Sequence, residues 1–598
     1  MIPAKVPDSL HILAGLRLLD AAGYVRVFQA RRVSPRGMNT LLDLSEALAA
    51  PEQVRTTLSR LDWPTLRGLR AGDHKTLDAV ADYHFTHPGK QPPVLLDSVA
   101  EPLAELLPSI PDFTKLLADD ARSGAEPARA IATTAPDAIE QLDLAPRTVR
   151  RGRGGIRMSG IEVRRIANEL DLAPAVAGSL YRWLFVSGLI GPKGDSWLPT
   201  AAGRDFAGLP VINRWRMLAT AWMRELTPNA LTELCLVTGI PDPCAPFTDF
   251  LDPAAPATAA IQLPGDSAAR ALSAAALGII HIDQAASPQA PLPGEAQLPG
   301  EAQLTRAGAL LLNNETTAAA ETLAAEFPAE VDRVYLQPDR TVIAPGPLRP
   351  DVEVRLRQVA DLTHRAIASE YRITEQSLTR ALQAGMTARQ IHSLLTNISL
   401  ARVPQPVAYL IGDLAERYGQ VRVRNYGSGA SVRALTDELT DQLRVDASLR
   451  PLRLQAGTEG LTTALSAPTV LSTLRESRYP AVLENPDGTP VAATAQLTAA
   501  PYLAEVTPSI QATAEALAEL AAHSRKSDDE DSWLRRRLEL ARRDRQALDV
   551  TISLGGGQTR TLLLLPISVT TQRLRALDVD ADVERTLPLR SITAIDDE

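Results

Sequence analysis

A strand–cap–helix signature occurs twice in this 598-residue chain, and it limits the architecture more than any other stretch. Trp197-Leu198-Pro199-Thr200-Ala201-Ala202-Gly203-Arg204 is echoed by Gln303-Leu304-Thr305-Arg306-Ala307-Gly308. Thr200 is placed to cap a helix. Ahead of the first copy, Val163, Ile166, Ala167 and Leu170 share one helical face. Pro174 opens a second helix with the stripe Val176, Leu180, Trp183 and Leu184, and Gly188 stops it. Leu189-Ile190 and Trp197-Leu198 then flank Gly191–Ser196, a hairpin loop by composition. Ahead of the second copy, Leu272–Leu277 reads as a helix, Gly278 as its stop and Ile279–Ile282 as a strand. The long loop that follows carries Leu-Pro-Gly-Glu-Ala-Gln at 292–297 and again at 298–303, a repeat that packs no core and reads as mobile and dispensable.

Two helices and then a hairpin is the order of a winged helix-turn-helix. Residues 147–225 are expected to form one such unit, and 226–312 a second with an enlarged wing. Residues 1–117 read as an N-terminal helical domain, from apolar spacing such as Leu10, Leu13, Leu16 and Leu19. Residues 118–146, rich in Ala, Pro, Asp and Ser, read as a linker.

Beyond the second unit, Val334–Gln337 and Thr341–Ala344 flank the turn Pro338-Asp339-Arg340. A helix is expected from about Asp351. Thr374 caps another, ended by Gly385, and Thr387 with Gln390 fits a capping box. After Pro404-Gln-Pro406 come the helical stretch Val407–Arg417 and the strand Val421–Arg424. Residues 328–430 therefore read as a small α+β domain. Residues 440–523 read as an α/β segment and the helix Gln511–His523. Ser524–Asp531 is a charged linker. Residues 532–598 read as a basic helix, Trp533–Leu548, followed by a small β-barrel. Its first turn is Gly555–Gly557, and its strands include Leu562–Leu565, Leu574–Leu577 and Leu587–Ile592. The expected fold class is thus multidomain, mainly α with α+β.

The formal charge of −9, from 62 basic and 71 acidic residues, excludes a uniformly positive surface, so a nucleic-acid site must be local. Aromatic residues at 4% argue against an extended channel of stacked bases. Two cysteines make no disulfide framework and fit a reducing compartment. With no signal peptide and no membrane span readable, the expected location is the cytoplasm, with no membrane partner.

Val334–Arg424 resembles the N-terminal domain that precedes the motor in XPB-type DNA repair helicases. The stretches that carry this are Leu336-Gln-Pro-Asp-Arg-Thr-Val342, Glu370-Tyr-Arg-Ile-Thr374 with Ser377-Leu378, Ala384-Gly-Met386 and Ala415-Glu-Arg-Tyr-Gly419. Together with the upstream units, and with Trp197-Leu-Pro-Thr200 and Arg214-Trp-Arg-Met-Leu-Ala219, the chain looks like bacterial helicase-associated proteins that lack a motor. Arg573-Leu-Arg-Ala-Leu-Asp578 and the stretch 585–592 are similar to the last strands of WYL domains, Sm-like barrels of bacterial regulators. The name-giving Trp-Tyr-Leu run is absent, and Leu548-Asp-Val-Thr-Ile552 stands near its place. The resemblance implies DNA contact and a separate XPB-like helicase as partner. It does not imply catalysis.

A motor needs Gly-x-x-x-x-Gly-Lys-Ser/Thr to cradle phosphates, and none of the six lysines has that context. The chain is therefore read as no enzyme and as needing no cofactor. His74, Asp78, Asp82, His84 and His87 are candidate metal ligands or polar surface residues of a helix end. Cys235 and Cys244 lack a second pair and read as buried thiols. Ser428 is a loop serine.

The strongest chemical signal is Arg147, Arg150, Arg151, Arg153, Arg157, Arg164 and Arg165, seven arginines against the single acid Glu162. With Gly152, Gly154 and Gly155 they read either as a flexible DNA-gripping arm or as a solvated linker. The Pro174 helix, carrying Arg182, would be the reader. Arg535, Arg536, Arg542 and Arg543 form a second patch, open to the alternative of a solvated helix. Arg422 and Arg424 share one face of a strand, toward phosphate or toward solvent. The sequence points to non-enzymatic DNA binding, with a ligand-responsive WYL-type regulator and a protein-interaction scaffold as alternatives.

Overall fold

The computed structural model describes residues 7–118, 121–144, 147–152, 155–250, 267–283, 302–457, 460–485, 490–491, 498–502, 506–526, 530–543, 545–553, 559–570 and 572–596. The tandem hexapeptide lies outside them except for Ala302 and Gln303, and so does the Gly555–Gly557 turn.

One apolar core runs from Leu10 to Leu323, so the three segments 1–117, 147–225 and 226–312 pack as a single body. Ala514, Leu517 and Ala521 belong to the same core. They lie on the helix Pro508–Lys526, which packs against the helices Ala21–Arg31 and Leu41–Ala49 and not on the α/β segment expected to contain it.

The linker expected at 118–146 is corrected: it contains the helix Ala125–Leu144. Ala128, Ile131, Ala132, Ala135, Ala138, Ile139 and Leu142 form its buried stripe. Pro127 and Pro136 read locally as breakers, but apolar residues at three- and four-residue spacing give the helix a face that both repeat units cover.

The two echoing stretches are built alike. In the first, the helices Gly160–Glu169 and Pro174–Val186 precede the antiparallel strands Ile190–Lys193 and Ser196–Pro199, with Arg147–Thr148 as third strand. In the second, the helices Pro228–Thr238 and Ser267–Ala276 precede the strands Ile280–Ile282 and Ala302–Leu304. Thr200 Oγ1 donates to the Gly188 carbonyl at 2.7 Å and accepts from the Gly203 amide at 3.1 Å. Thr305 repeats both bonds, to Gly278 at 2.7 Å and from Gly308 at 3.0 Å. Each threonine therefore ties the helix it caps to the strand before the hairpin.

Residues 331–417 form a separate two-layer α+β unit with its own core. Its sheet runs in the order Asp361–His364, Glu370–Arg372, Thr341–Ile343, Tyr335–Leu336. The helices Pro350–Arg357, Glu375–Gln383, Ala388–Ile398 and Gln405–Arg417 accompany it. Thr374 and Thr387 both close capping boxes. The strand Val421–Tyr426 does not belong here. It lies inside a six-stranded sheet, paired with Gly429–Ala434 and in parallel with Ala481–Glu484. Val421 and Val423 bury against Val432, Leu461, Val470 and Leu474, so the boundary falls near Gly419 rather than at residue 430.

The expected basic helix spans Glu530–Arg543 and ends before Leu548, which starts a strand. The charged linker expected at Ser524–Asp531 is helical up to Lys526 and again from Glu530, with 527–529 outside the described residues. Four strands form a meander, and the fifth, Ile592–Asp596, returns beside the first, Leu548–Ser553. Among the described residues no ladder joins the two edges, so the expected barrel is seen as a five-stranded antiparallel sheet. No helix among the described residues is long and apolar enough to cross a membrane.

Burial, with Arg31 adding to it, pushes His84 down to about 4 from 6.5. The folded chain then binds fewer protons at this site than the unfolded chain between those values. Stability should fall as pH drops from 6.5 toward about 4. His84 has φ 50, a conformation that asparagine tolerates. In His84→Asn the unfolding midpoint should lose less over that window, measured as melting temperature against pH.

Candidate nucleic-acid interface

The arginine-rich stretch is not a loose arm. Arg147 begins the strand that pairs with Trp197, and its side chain is 2% exposed. The carboxylates of Glu162 and Glu169 receive its guanidinium from the helix Gly160–Glu169. Removing a buried pair from its partners costs several kcal/mol, about 3–5, so Arg147 is corrected to a structural residue.

Arg150–Gly152 and Gly155–Arg157 form an antiparallel hairpin with Arg150 opposite Arg157 and Arg151 opposite Ile156. Of the glycines expected to loosen an arm, Gly152 and Gly155 pair with each other at the end of this hairpin and Gly154 lies outside the described residues, while Ile156 and Met158 anchor the base in the core. Arg150 is exposed. Arg153 and the side chains of Arg151 and Arg157 lie outside the described residues. On the adjoining helix, Ile161, Arg164, Arg165 and Asn168 share an outer, exposed face. Arg165 pairs with Glu169 at 3.2 Å, whereas Arg164 has no carboxylate partner among the described residues.

The expected reading helix is also corrected. Pro174–Val186 is buried on several sides, with Val176 to Tyr181, Trp183 and Leu184 all inaccessible. Ser179 Oγ lies 2.7 Å from Ser273 Oγ on Ser267–Ala276, the equivalent helix of the second copy. Tyr181 donates to the Ala138 carbonyl at 2.7 Å. The two would-be readers thus cover each other. Arg182 pairs with Glu225 at 2.9 Å, both side chains largely buried, and it too is corrected to a structural residue. Burial pushes Glu225 up to about 7 against the pull of Arg182 and Arg270.

Arg422 and Arg424 do share a face. Arg422 lies 3.8 Å from the buried Glu484, which Arg433 approaches at 3.1 Å, and Arg424 donates to Ser431 at 3.3 Å. In the C-terminal patch Arg535 is half-buried, Arg542 is exposed, and the side chain of Arg536 lies outside the described residues. Arg543 pairs with Glu46 at 3.0 Å, which ties this helix to the N-terminal body. The neighbouring Arg537 is 2% exposed and donates to the Ile595 carbonyl at 2.7 Å.

Other candidates disperse. His74 and Asp78 sit exposed on the helix His74–Ala79, Asp82 pairs with Arg26 at 3.1 Å, and His87 meets the His11 ring edge-on. Cys235 and Cys244 are free and buried, and burial raises both thiols. Ser428 occupies an exposed turn.

One charged cluster escaped the sequence reading altogether. Asp137, on the helix Ala125–Leu144, receives Arg357 and both prongs of Arg365, the latter at 2.6 and 2.9 Å. Glu140 also holds Arg357, and Glu353 holds Arg365 at 3.0 Å and Tyr371 at 3.1 Å. Burial alone would push both guanidiniums down, but the carboxylates overrule it and hold them above the usual arginine value. This knot joins the first body to the 331–417 unit, whose apolar cores stay separate. Its members lie too far apart in the chain for any spacing to mark them.

The helicase conserved C-terminal domain family matches residues 334–457, across the 331–417 unit and into the six-stranded sheet. That match points to a helicase-associated protein and to a nucleic-acid setting. Among curated proteins none matches the chain.

Proposed function

We propose that this chain is a non-enzymatic DNA-binding, helicase-associated protein, accessory to DNA repair or transcription. The observation that carries this is the all-arginine charge of the 150–157 hairpin beside the exposed Arg164, in a chain of net −9. The winged-helix reading of 147–225 is supported by three helices around a three-stranded sheet, once Ala125–Leu144 and Arg147–Thr148 are counted in. DNA would be held through Arg–phosphate contacts from the hairpin, not by the buried Pro174 helix. The XPB-type reading of 328–430 is supported by its motif stretches and by the helicase-family match over much the same residues. A separate XPB-like helicase is the partner that reading fits.

Counter-ion release makes log K fall by about 0.9 per phosphate neutralised, per unit of log salt. With one phosphate per arginine, changing Arg150, Arg151, Arg153 and Arg157 together to glutamine should reduce that slope by about 3.6, read from fluorescence anisotropy across a salt series. An unchanged slope removes the hairpin from the proposal, and ATP hydrolysis by the pure chain contradicts its non-enzymatic part.

Mutual burial of the helices Pro174–Val186 and Ser267–Ala276 favours the scaffold alternative, which absence of DNA retention at low salt would support. The return of Ile592–Asp596 beside Leu548–Ser553 fits a closing barrel and so the ligand-responsive alternative. Under that reading, deleting residues 549–598 would change sequence-specific promoter binding and not only general affinity.

A further inference from the structure

The helices Glu375–Gln383 and Ala388–Ile398 are joined by Ala384–Thr387, with Gly385 at φ 92. A short glycine-containing turn between two helices is the kind of connection found in helix-turn-helix units. Leu378, Ala381 and Leu382 of the first helix and Ile391, Leu395 and Ile398 of the second point into the core. Gln405–Arg417 packs across both helices. The opposite face of the second helix is open. Arg389, Gln390, His392, Ser393, Thr396 and Asn397 are all exposed.

These side chains are of the types that read base edges: Arg for guanine, Asn and Gln for adenine, Ser and Thr for either. Charge along this stretch of the sequence is one-sided. Residues 376–412 contain no Asp or Glu, in a chain with 71 acids. The same stretch carries Arg389 and Arg402, both exposed, and Arg380, which Asp361 holds at 2.5 Å. At the C-terminal end of Ala388–Ile398, Arg333 donates to the Ser399 carbonyl at 3.4 Å. A face of this charge fits a polyanion.

We propose that Ala388–Ile398 is the sequence-reading helix of this protein, entering the major groove of duplex DNA with Arg389, Ser393 and Asn397 toward the bases and with Arg402 and Arg333 beside flanking phosphates. This deepens the DNA-binding reading and rests on it.

The test uses the full chain and selection from a random-sequence duplex pool, followed by competition between the selected site and its scrambled version. The wild-type chain should prefer the selected site by about tenfold or more. Arg389→Ala/Ser393→Ala/Asn397→Ala changes three exposed side chains, so melting should be unaltered. Its preference should shrink to about twofold or less while scrambled duplex is still bound. A hairpin variant should instead keep the preference and lose salt slope. Preference retained in the triple variant, or no preference in the wild-type chain, overturns the assignment of this helix. Absence of duplex binding by the wild-type chain overturns the DNA-binding reading itself. Stronger capture of single-stranded DNA or RNA than of duplex also counts against the groove-reading helix.

Discussion

Gly203→Ala and Gly308→Ala will each destabilise the N-terminal body by about 3 kcal/mol. A Cβ on Gly203 would lie 2.0 Å from the Leu189 carbonyl oxygen, and one on Gly308 would lie 2.1 Å from that of Ile279. Neither obstacle is a flexible side-chain end. Both are backbone, held by the bond from Thr200 or Thr305 to the same carbonyl. Relief therefore requires the capped helix to move off the strand, which breaks the cap and the packing together. Gly160→Ala is the control. Its Cβ meets nothing within 4 Å, and it opens a helix, so its change should stay within about 0.5 kcal/mol. Urea unfolding of the three variants decides the matter. Equal midpoints for Gly203→Ala and Gly160→Ala would show that the close approach carries no weight.

Asp137→Ala will loosen the 331–417 unit from the first body. The carboxylate engages two guanidiniums in a place where both are largely buried, so its loss leaves Arg365 with Glu353 and Arg357 with Glu140 alone. Breaking such a buried arrangement costs about 3–5 kcal/mol. That cost falls on the contact between the units and not within either core, since their apolar clusters are distinct. Hydrogen exchange should quicken along Ala125–Leu144 and along 353–366, while the strands Thr341–Ile343 and Glu370–Arg372 keep their protection. The exposed pair Arg349–Asp351 supplies the comparison, with Asp351→Ala costing under about 1 kcal/mol. Uniform exchange through both units would mean that they unfold as one and that the knot is not what holds them together.

Much of the local structure was legible. Thr200, Thr374 and Thr387 cap helices where their spacing says they should, because a cap is a bond made within four residues. The strands on either side of Pro338-Asp339-Arg340 pair as read, since a tight turn brings neighbours together. The linker at 118–146 was misread for the opposite reason. Its alanines look like composition until Leu277, Trp215 and their neighbours surround them. The Pro174 helix shows one apolar stripe in its sequence, but Ala177, Gly178 and Ser179, small residues beside and beyond that stripe, are buried as well. Nothing local announces that Ser179 will meet Ser273.

The candidate site divides along the same line. Arginine density marked residues 147–165, yet the glutamates of the next helix take Arg147 and Arg165, while Arg150 and Arg164 stay exposed. Residue order by itself determined the elements, their caps and the echo between the two Thr-x-x-Gly stretches, because each depends on bonds or contacts a few residues long. Only the tertiary structure decided which charged and polar faces remain open to a partner. Access is a property of what packs against a face, and here the covering residues arrive from distant parts of the chain.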